Sequence, residues 1–157
     1  IEAKRHDEVH GFVGEITRVN VKPIIDLLQN GYIPVVSTVG CDKEGNIYNI
    51  NADTAAAYIA GEMKAERLMT LTDIAGVLRD VSDPSSLIKF MNVKEAKEMI
   101  RNGAVSGGMI PKIQCCIDAI ELGVKRVTII DGRVPHSLLI EMLTDEGAGT
   151  MIAANDE

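Results

Sequence analysis

The chain has 157 residues, 46% hydrophobic and 25% charged, a globular composition that excludes a disordered polymer. Its net charge is −7, from 23 acidic against 16 basic residues, and no basic run or basic–aromatic motif is present. That excludes a nucleic-acid surface and requires any phosphate-bearing ligand to find a local positive site. No apolar run approaches the ~20 residues of a membrane span and no signal peptide is visible, so a cytoplasmic protein with no membrane partner is expected.

The opening "IEAKRHDEVH" is charged and aperiodic and reads as a loop. Its start at Ile1 rather than Met carries the expectation of a processed or truncated piece. In "VKPIIDLLQNG", Pro23 suits a first helical turn, Ile24, Ile25 and Leu28 form an apolar stripe, and Asn30-Gly31 is a stop. "YIPVVSTVG" has the continuous apolar run of a buried parallel strand. A hairpin turning at Glu44-Gly45-Asn46 follows, then a helix from about Ala52 to Met63. "RLMTLTD" is a second apolar strand, and residues 74–86 form a loop rich in Gly, Asp, Pro and Ser.

"VKEAKEMIRNG" places Val93, Ala96, Met99 and Ile100 at helical spacing, and "IPKIQCCIDAIELG" does so with Ile110, Ile113, Ile117 and Ile120. "VKRVTIIDG" is a strand, "PHSLLIEML" a helix and "GTMIA" a last short strand. Alternating helices and apolar strands predict an α/β fold, a mainly parallel open sheet with helices on both faces. Cys41, Cys115 and Cys116 cannot all pair within one chain and lack metal or redox spacing, so they read as buried free thiols in a reducing compartment.

No G-x-x-x-x-G-K-[ST] loop and no G-x-G-x-x-G fingerprint is present, which disfavours a redox α/β domain. Two other patterns carry chemistry. "YNINADTAAAYIAG" places Asn49, Asn51 and Asp53 at alternate positions, on one face if the segment is extended. Helix capping accounts for Asn51 and Asp53; a polar cluster aimed at a ligand accounts for Asn49 as well. "GAVSGGMIPK" joins Gly107-Gly108 to a helix start that carries Lys112 in its first turn. A cation there is unfavourable by roughly 0.3–1 kcal/mol unless an anion joins it. An exposed lysine that swings into water is the competing reading.

Thr72 and Asp73 sit at a strand's carboxyl end, where ligands of α/β sheets bind, although an ordinary turn explains them too. His6, His10 and His136 show no metal-ligand spacing with carboxylates or cysteines, so no metal site is expected. His136 reads as structural, and Arg133 as the partner of a carboxylate. A carboxylate and a lysine converging at strand ends suit phosphoryl transfer, in which positioning and charge stabilisation carry the catalysis.

The segments "NINADTAAAYIAG", "TLTDIAGVL", "GAVSGGMIPKI", "IIDGRVPHSLLIEML" and "TDEGAGTMI" occur in the order found in the carboxyl-terminal half of the acetylglutamate kinase branch of the amino acid kinase family. The resemblance runs from about Gly11 to Ile152. It implies ATP-dependent phosphorylation of the γ-carboxylate of N-acetyl-L-glutamate in arginine biosynthesis, with ATP accompanied by Mg2+ and a homo-oligomer as the complete enzyme.

By position the resemblance implies that Lys112 and Asp53 are catalytic and that Asn49 and Asn51 face the substrate. Thr72, Asp73, Ile74, Ala75, Gly76, Val77 and Leu78, with Ala104, Val105 and Ser106, line the nucleotide site. Glu141 and Gly147 match an arginine-inhibitor site, but Thr128 stands where inhibited members commonly carry histidine. The family's amino-terminal half, with its own phosphate loops and second lysine, is absent from residues 1–157. The chain is therefore expected to be a nucleotide-binding half, inactive alone. The alternatives are a catalytically inactive nucleotide- or arginine-binding module, or another member of the family.

Overall fold

The computed structural model describes residues 1–154. In chain order the elements are β1 (Glu2–Arg5), β2 (Gly14–Arg18), α1 (Lys22–Gln29), β3 (Val39–Cys41), β4 (Ile47–Asn49), α2 (Ala52–Glu62) and β5 (Arg67–Thr72). Then come β6 (Phe90–Asn92), α3 (Val93–Arg101), α4 (Met109–Glu121), β7 (Arg126–Asp131), α5 (Ser137–Leu143) and β8 (Gly149–Ala153). The strands form two four-stranded sheets, ordered β2-β1-β3-β4 and β5-β7-β8-β6.

The second sheet contains the core. β5 pairs with β7 in parallel from Arg67↔Arg126 to Thr72↔Asp131, β6 pairs with β8 in parallel, and β7 meets β8 antiparallel. Val127 and Ile129 on β7 face the cluster formed with Ile113 and Ile117 of α4, Ala57 and Ala60 of α2, and Ala96 of α3. Full burial of each isoleucine contributes about 1.5–3 kcal/mol. Thr128 points to the opposite face, where its hydroxyl donates to Glu141 of α5. Helices thus cover both faces of an α/β fold. The sheets are mixed, not mainly parallel, because β1 and β2, β3 and β4, and β7 and β8 each pair antiparallel.

Local signals explain most boundaries. Asn51 caps α2 by accepting from Thr54 N at 3.1 Å, and α3 begins with a reciprocal capping box between Asn92 and Glu95. Three expectations need correction. The charged opening is not all loop: Glu2–Arg5 is a strand that buries Ala3, because pairing with β2 on one side and β3 on the other outweighs a weak local pattern. "YIPVVSTVG" is not a buried strand. Only its end enters β3, while Ile33 and Val35 are 91% and 95% exposed. An apolar run becomes a buried strand only when ladder partners and covered faces are supplied, and residues 33–37 lack both among the described residues. The cysteines are not uniformly buried either: Cys116 is buried, Cys115 half-buried and Cys41 exposed.

Helix α1 forms where its Pro23 and Asn30 signals place it, yet buries no residue. Helix α5 buries Ser137 and Glu141 and leaves Leu138, Leu139, Met142 and Leu143 exposed, the reverse of the usual amphipathic arrangement.

Candidate functional site

Helices α2 and α4 pack side by side, their amino termini at one end and Gly61 against Leu122 at the other. A Cβ on Gly61 would lie 2.5 Å from Leu122 Cβ, so glycine sets how closely the helices approach. Since α4 leads into β7, its amino terminus lies at the carboxyl end of β7 and of the parallel β5. That is the edge at which open α/β sheets bind ligands.

The packing brings together two residues 59 positions apart: Lys112 Nζ lies 3.7 Å from Asp53 Oδ2. Both are about one-third exposed, at 32% and 37%, so the pair is loose and open to solvent on one side. Cys115 of α4 is half-buried and hydrogen-bonds the Thr54 side chain of α2, and burial raises its thiol pKa. Burial pushes Cys116 up to about 12, which leaves it an inert core thiol. The first turn of α4 has no side-chain cap and no acidic residue. The carboxylate that meets this turn's lysine comes from the neighbouring helix, as Asp53.

Beside this pair opens a cleft of about 500 Å³. Its walls are Asp73, Ile74, Ala75, Gly76, Val77 and Leu78 on one side, with Ala104, Val105, Ser106, Gly108 and Met109 on the other. Lys112 and Arg133 stand at its rim. Of the sequence-derived nucleotide residues, all but Thr72 line this one cleft; Thr72 lies next to it, its hydroxyl 3.2 Å from Asp73 Oδ1. The apolar walls suit a planar base, and the cationic rim suits an anion. The volume falls within the range of small-molecule sites.

The wall from residue 73 to 78 is held from behind. Gly76 adopts φ +142°, and a Cβ there would lie 2.6 Å from Thr150 Oγ1. Thr150 is fully buried; its hydroxyl accepts from Val77 N at 2.8 Å and donates to Ile88 O at 2.6 Å. Thr150 carries no functional signature in the sequence, since a threonine in a strand is unremarkable. Arg133 grips Asp131 with two bonds, Nε to Oδ1 at 2.9 Å and Nη2 to Oδ2 at 2.8 Å. That grip holds the Asp131 carboxyl down to about 2.

The Asn-x-Asn-x-Asp run does not share one extended face. Strand β4 ends at Asn49 and α2 begins at Ala52, so the helix, not strand alternation, aims Asp53. Asn51 lines a separate cleft of about 300 Å³ with Val13, Gly14, Thr54 and Tyr58. Asn49 is exposed beside it, its backbone N–H donating to Phe12 O at 2.7 Å. Glu141 and Gly147 lie together at a third cleft of about 640 Å³ that also contains Arg67, Lys89 and Arg126. Glu141 is buried, and its oxygens accept from Thr128 Oγ1 at 3.1 Å and Ala148 N at 2.8 Å.

Comparison with known proteins shows the family. The model of the amino acid kinase family matches residues 1–131. The chain belongs to the amino acid kinase family. It is 55% identical over 145 residues to an acetylglutamate kinase of Brachyspira hyodysenteriae, a match that covers 92% of this chain and 50% of that protein. An acetylglutamate kinase of Nostoc is 54% identical over 142 residues, 90% of this chain and 48% of that one. The chain thus spans about half the length of the curated relatives it matches. A solved N-acetylglutamate synthase from Neisseria gonorrhoeae, complexed with coenzyme A and L-arginine, superposes with a TM-score of 0.87. That pair is 28% identical, across 98% of this chain and 36% of the synthase.

Proposed function

We propose that this chain supplies the nucleotide-binding half of an acetylglutamate kinase, which phosphorylates the γ-carboxylate of N-acetyl-L-glutamate with ATP. The observation that carries the reading is the meeting of Lys112 and Asp53 at the rim of the apolar cleft, in a chain 55% identical to an enzyme of that name. The base and ribose of ATP occupy the cleft between residues 73–78 and 104–106, and the phosphates run to the uncapped amino terminus of α4. Mg2+ accompanies ATP, and the hard carboxylate oxygens that could hold it are those of Asp73, which lines the cleft, and of Asp53, which stands beside it against Lys112.

In the reaction an oxygen of the substrate carboxylate attacks the γ-phosphorus while its bond to the ADP oxygen breaks. Lys112 meets the charge on the transferring group, and Asp53 keeps the lysine from swinging into solvent. Asn49 and Asn51 face the amino-acid side from the neighbouring cleft. The reading places the protein in the cytoplasm, where ATP is available and free thiols persist, and implies a homo-oligomer for the complete enzyme.

Two assays test this. Equilibrium dialysis should show saturable binding of ATP with Mg2+ to the chain, abolished by Ala104→Trp, which fills the cleft. Coupled ADP release should show no turnover from residues 1–157 alone with N-acetylglutamate, because the chain carries one phosphate-binding side. Absence of ATP binding refutes the nucleotide site; robust turnover refutes the half-site reading.

A second reading concerns regulation. The Neisseria synthase structure contains L-arginine, and the cleft beside Glu141 and Gly147 offers a carboxylate to a guanidinium. We propose weak L-arginine binding there, because Glu141 already accepts from Thr128 and Ala148. Titration calorimetry with L-arginine decides it, and no heat above dilution removes the reading.

A further inference from the structure

The loop between β1 and β2 gathers side chains that the kinase reading does not use. His6 and His10 stand four positions apart, and folding brings one ligand atom each from His6, Asp7 and His10 within 4.8 Å of one another. His6 Nε2 lies 3.6 Å from Asp7 Oδ2, and His10 Nδ1 lies 2.7 Å from that same oxygen. Ligand atoms held by a tetrahedral zinc ion are about 3.3–3.4 Å apart. The first pair is close to that separation, and the second needs to open by about 0.6–0.7 Å.

Glu15 fixes the orientation of one ring. Its Oε1 accepts from His6 Nδ1 at 2.7 Å, while Lys4 Nζ holds Oε2 at 3.1 Å. Because a carboxylate only accepts, Nδ1 carries a proton, and in the neutral imidazole the lone pair of His6 is on Nε2, the nitrogen nearer Asp7. A carboxylate behind a histidine in this way is the usual outer support of a metal-binding imidazole. Asp7 is held as well: its Oδ1 accepts from His10 N at 2.7 Å, and its Oδ2, now bonded to His10 Nδ1, is the oxygen an ion would share with that nitrogen.

We propose that this loop binds one divalent transition-metal ion of the Zn2+ class through His6, Asp7 and His10. Glu15 acts as the positioning residue and water completes the shell. Two imidazoles with one carboxylate suit Zn2+ rather than Mg2+ or Ca2+, which take oxygen ligands. Binding exchanges the proton shared by His10 and Asp7 for the ion. The site also bears on its surroundings, since His6 N donates to Val13 O at 2.9 Å and Phe12 O accepts from Asn49 N at 2.7 Å. An ion there would fasten the loop to the strand carrying Asn49. The proposal stands independently of the kinase reading.

Calorimetric titration of the 157-residue chain with ZnCl2 should give one equivalent bound with a Kd below about 10 µM. His6→Asn and His10→Asn should each weaken binding at least tenfold, and Glu15→Gln by about 10–100-fold. Nitrogen-15 imidazole spectra of the unsubstituted chain provide a reading that needs no variant. One equivalent of Zn2+ should move the His6 and His10 signals and leave His136 in place. Absence of saturable binding, unmoved His6 and His10 signals, or equal affinity in the double histidine variant would overturn the proposal.

Discussion

Replacing Thr150 by valine isolates what holds the cleft wall in place. The two side chains have nearly the same shape, so the substitution opens no cavity and removes only the hydroxyl. In the fully buried site that hydroxyl accepts from Val77 N at 2.8 Å and donates to Ile88 O at 2.6 Å. Each buried polar group left unpaired costs about 1–3 kcal/mol, and partial relaxation brings the expected loss to about 2–4 kcal/mol. For a chain of this length, that lowers Tm by about 5–15 °C. Thr150→Ser keeps the hydroxyl and loses one methyl, for about 1 kcal/mol. Urea unfolding of the three chains should therefore rank wild type above serine above valine, and ATP affinity should fall in the valine chain because residues 76–78 lose their anchor. A valine chain as stable as the serine chain would refute the reasoning.

Lys112→Ala in the complete enzyme should lower kcat by about 10²–10³ with a smaller change in ATP affinity, measured by steady-state kinetics and nucleotide titration. The same change should leave folding stability within about 1 kcal/mol, since the exposed pair with Asp53 and the unfavourable first-turn cation nearly offset each other. Asp53→Asn should also lower kcat greatly while thermal melts stay near wild type, because Asn51, not Asp53, makes the cap. The Asp131 carboxyl is depressed from 3.8 to about 2 by Arg133, so its contribution is complete above pH 3.8 and is lost as pH falls through about 2. Asp131→Asn should flatten the loss of stability across that window in acid unfolding followed by circular dichroism.

What could be read from the sequence was what local chemistry decides. The helix at 52–62 declares itself by its Asn51 cap, and those at 93–101 and 109–121 by their apolar period and Asn-Gly or Leu-Gly stops. The strands β5, β7 and β8 declare themselves by apolar runs. The short β1, β2 and β6 carry no such mark: "EAKR" has one apolar residue, and its strand exists because two neighbours pair with it. "YIPVVSTVG" misled for the converse reason, having strand chemistry without a ladder partner beside most of it. Within the site, Lys112 stood out as a cation at a helix start, but its contact with Asp53 depends on how closely α2 and α4 approach. That is a tertiary property of Gly61. The resemblance named the cleft walls, whereas nothing local marked Thr150.

The same geometry explains why so loose an ion pair suits its place. At 3.7 Å, with both side chains about one-third exposed, Lys112 and Asp53 gain little from each other in water. A tight, buried pair would have to be broken before the ammonium could meet a phosphate, at a cost of several kcal/mol. Here the lysine can turn to an incoming anion at little cost, and the carboxylate stays close enough to keep the charge at the rim. The uncapped first turn of α4 adds fixed positive partial charge to the same spot, and no acidic residue of that turn cancels it. On the proposed reading, an anion arriving between the two helix ends therefore meets the lysine and the α4 dipole together, and only a weak ion pair has to give way.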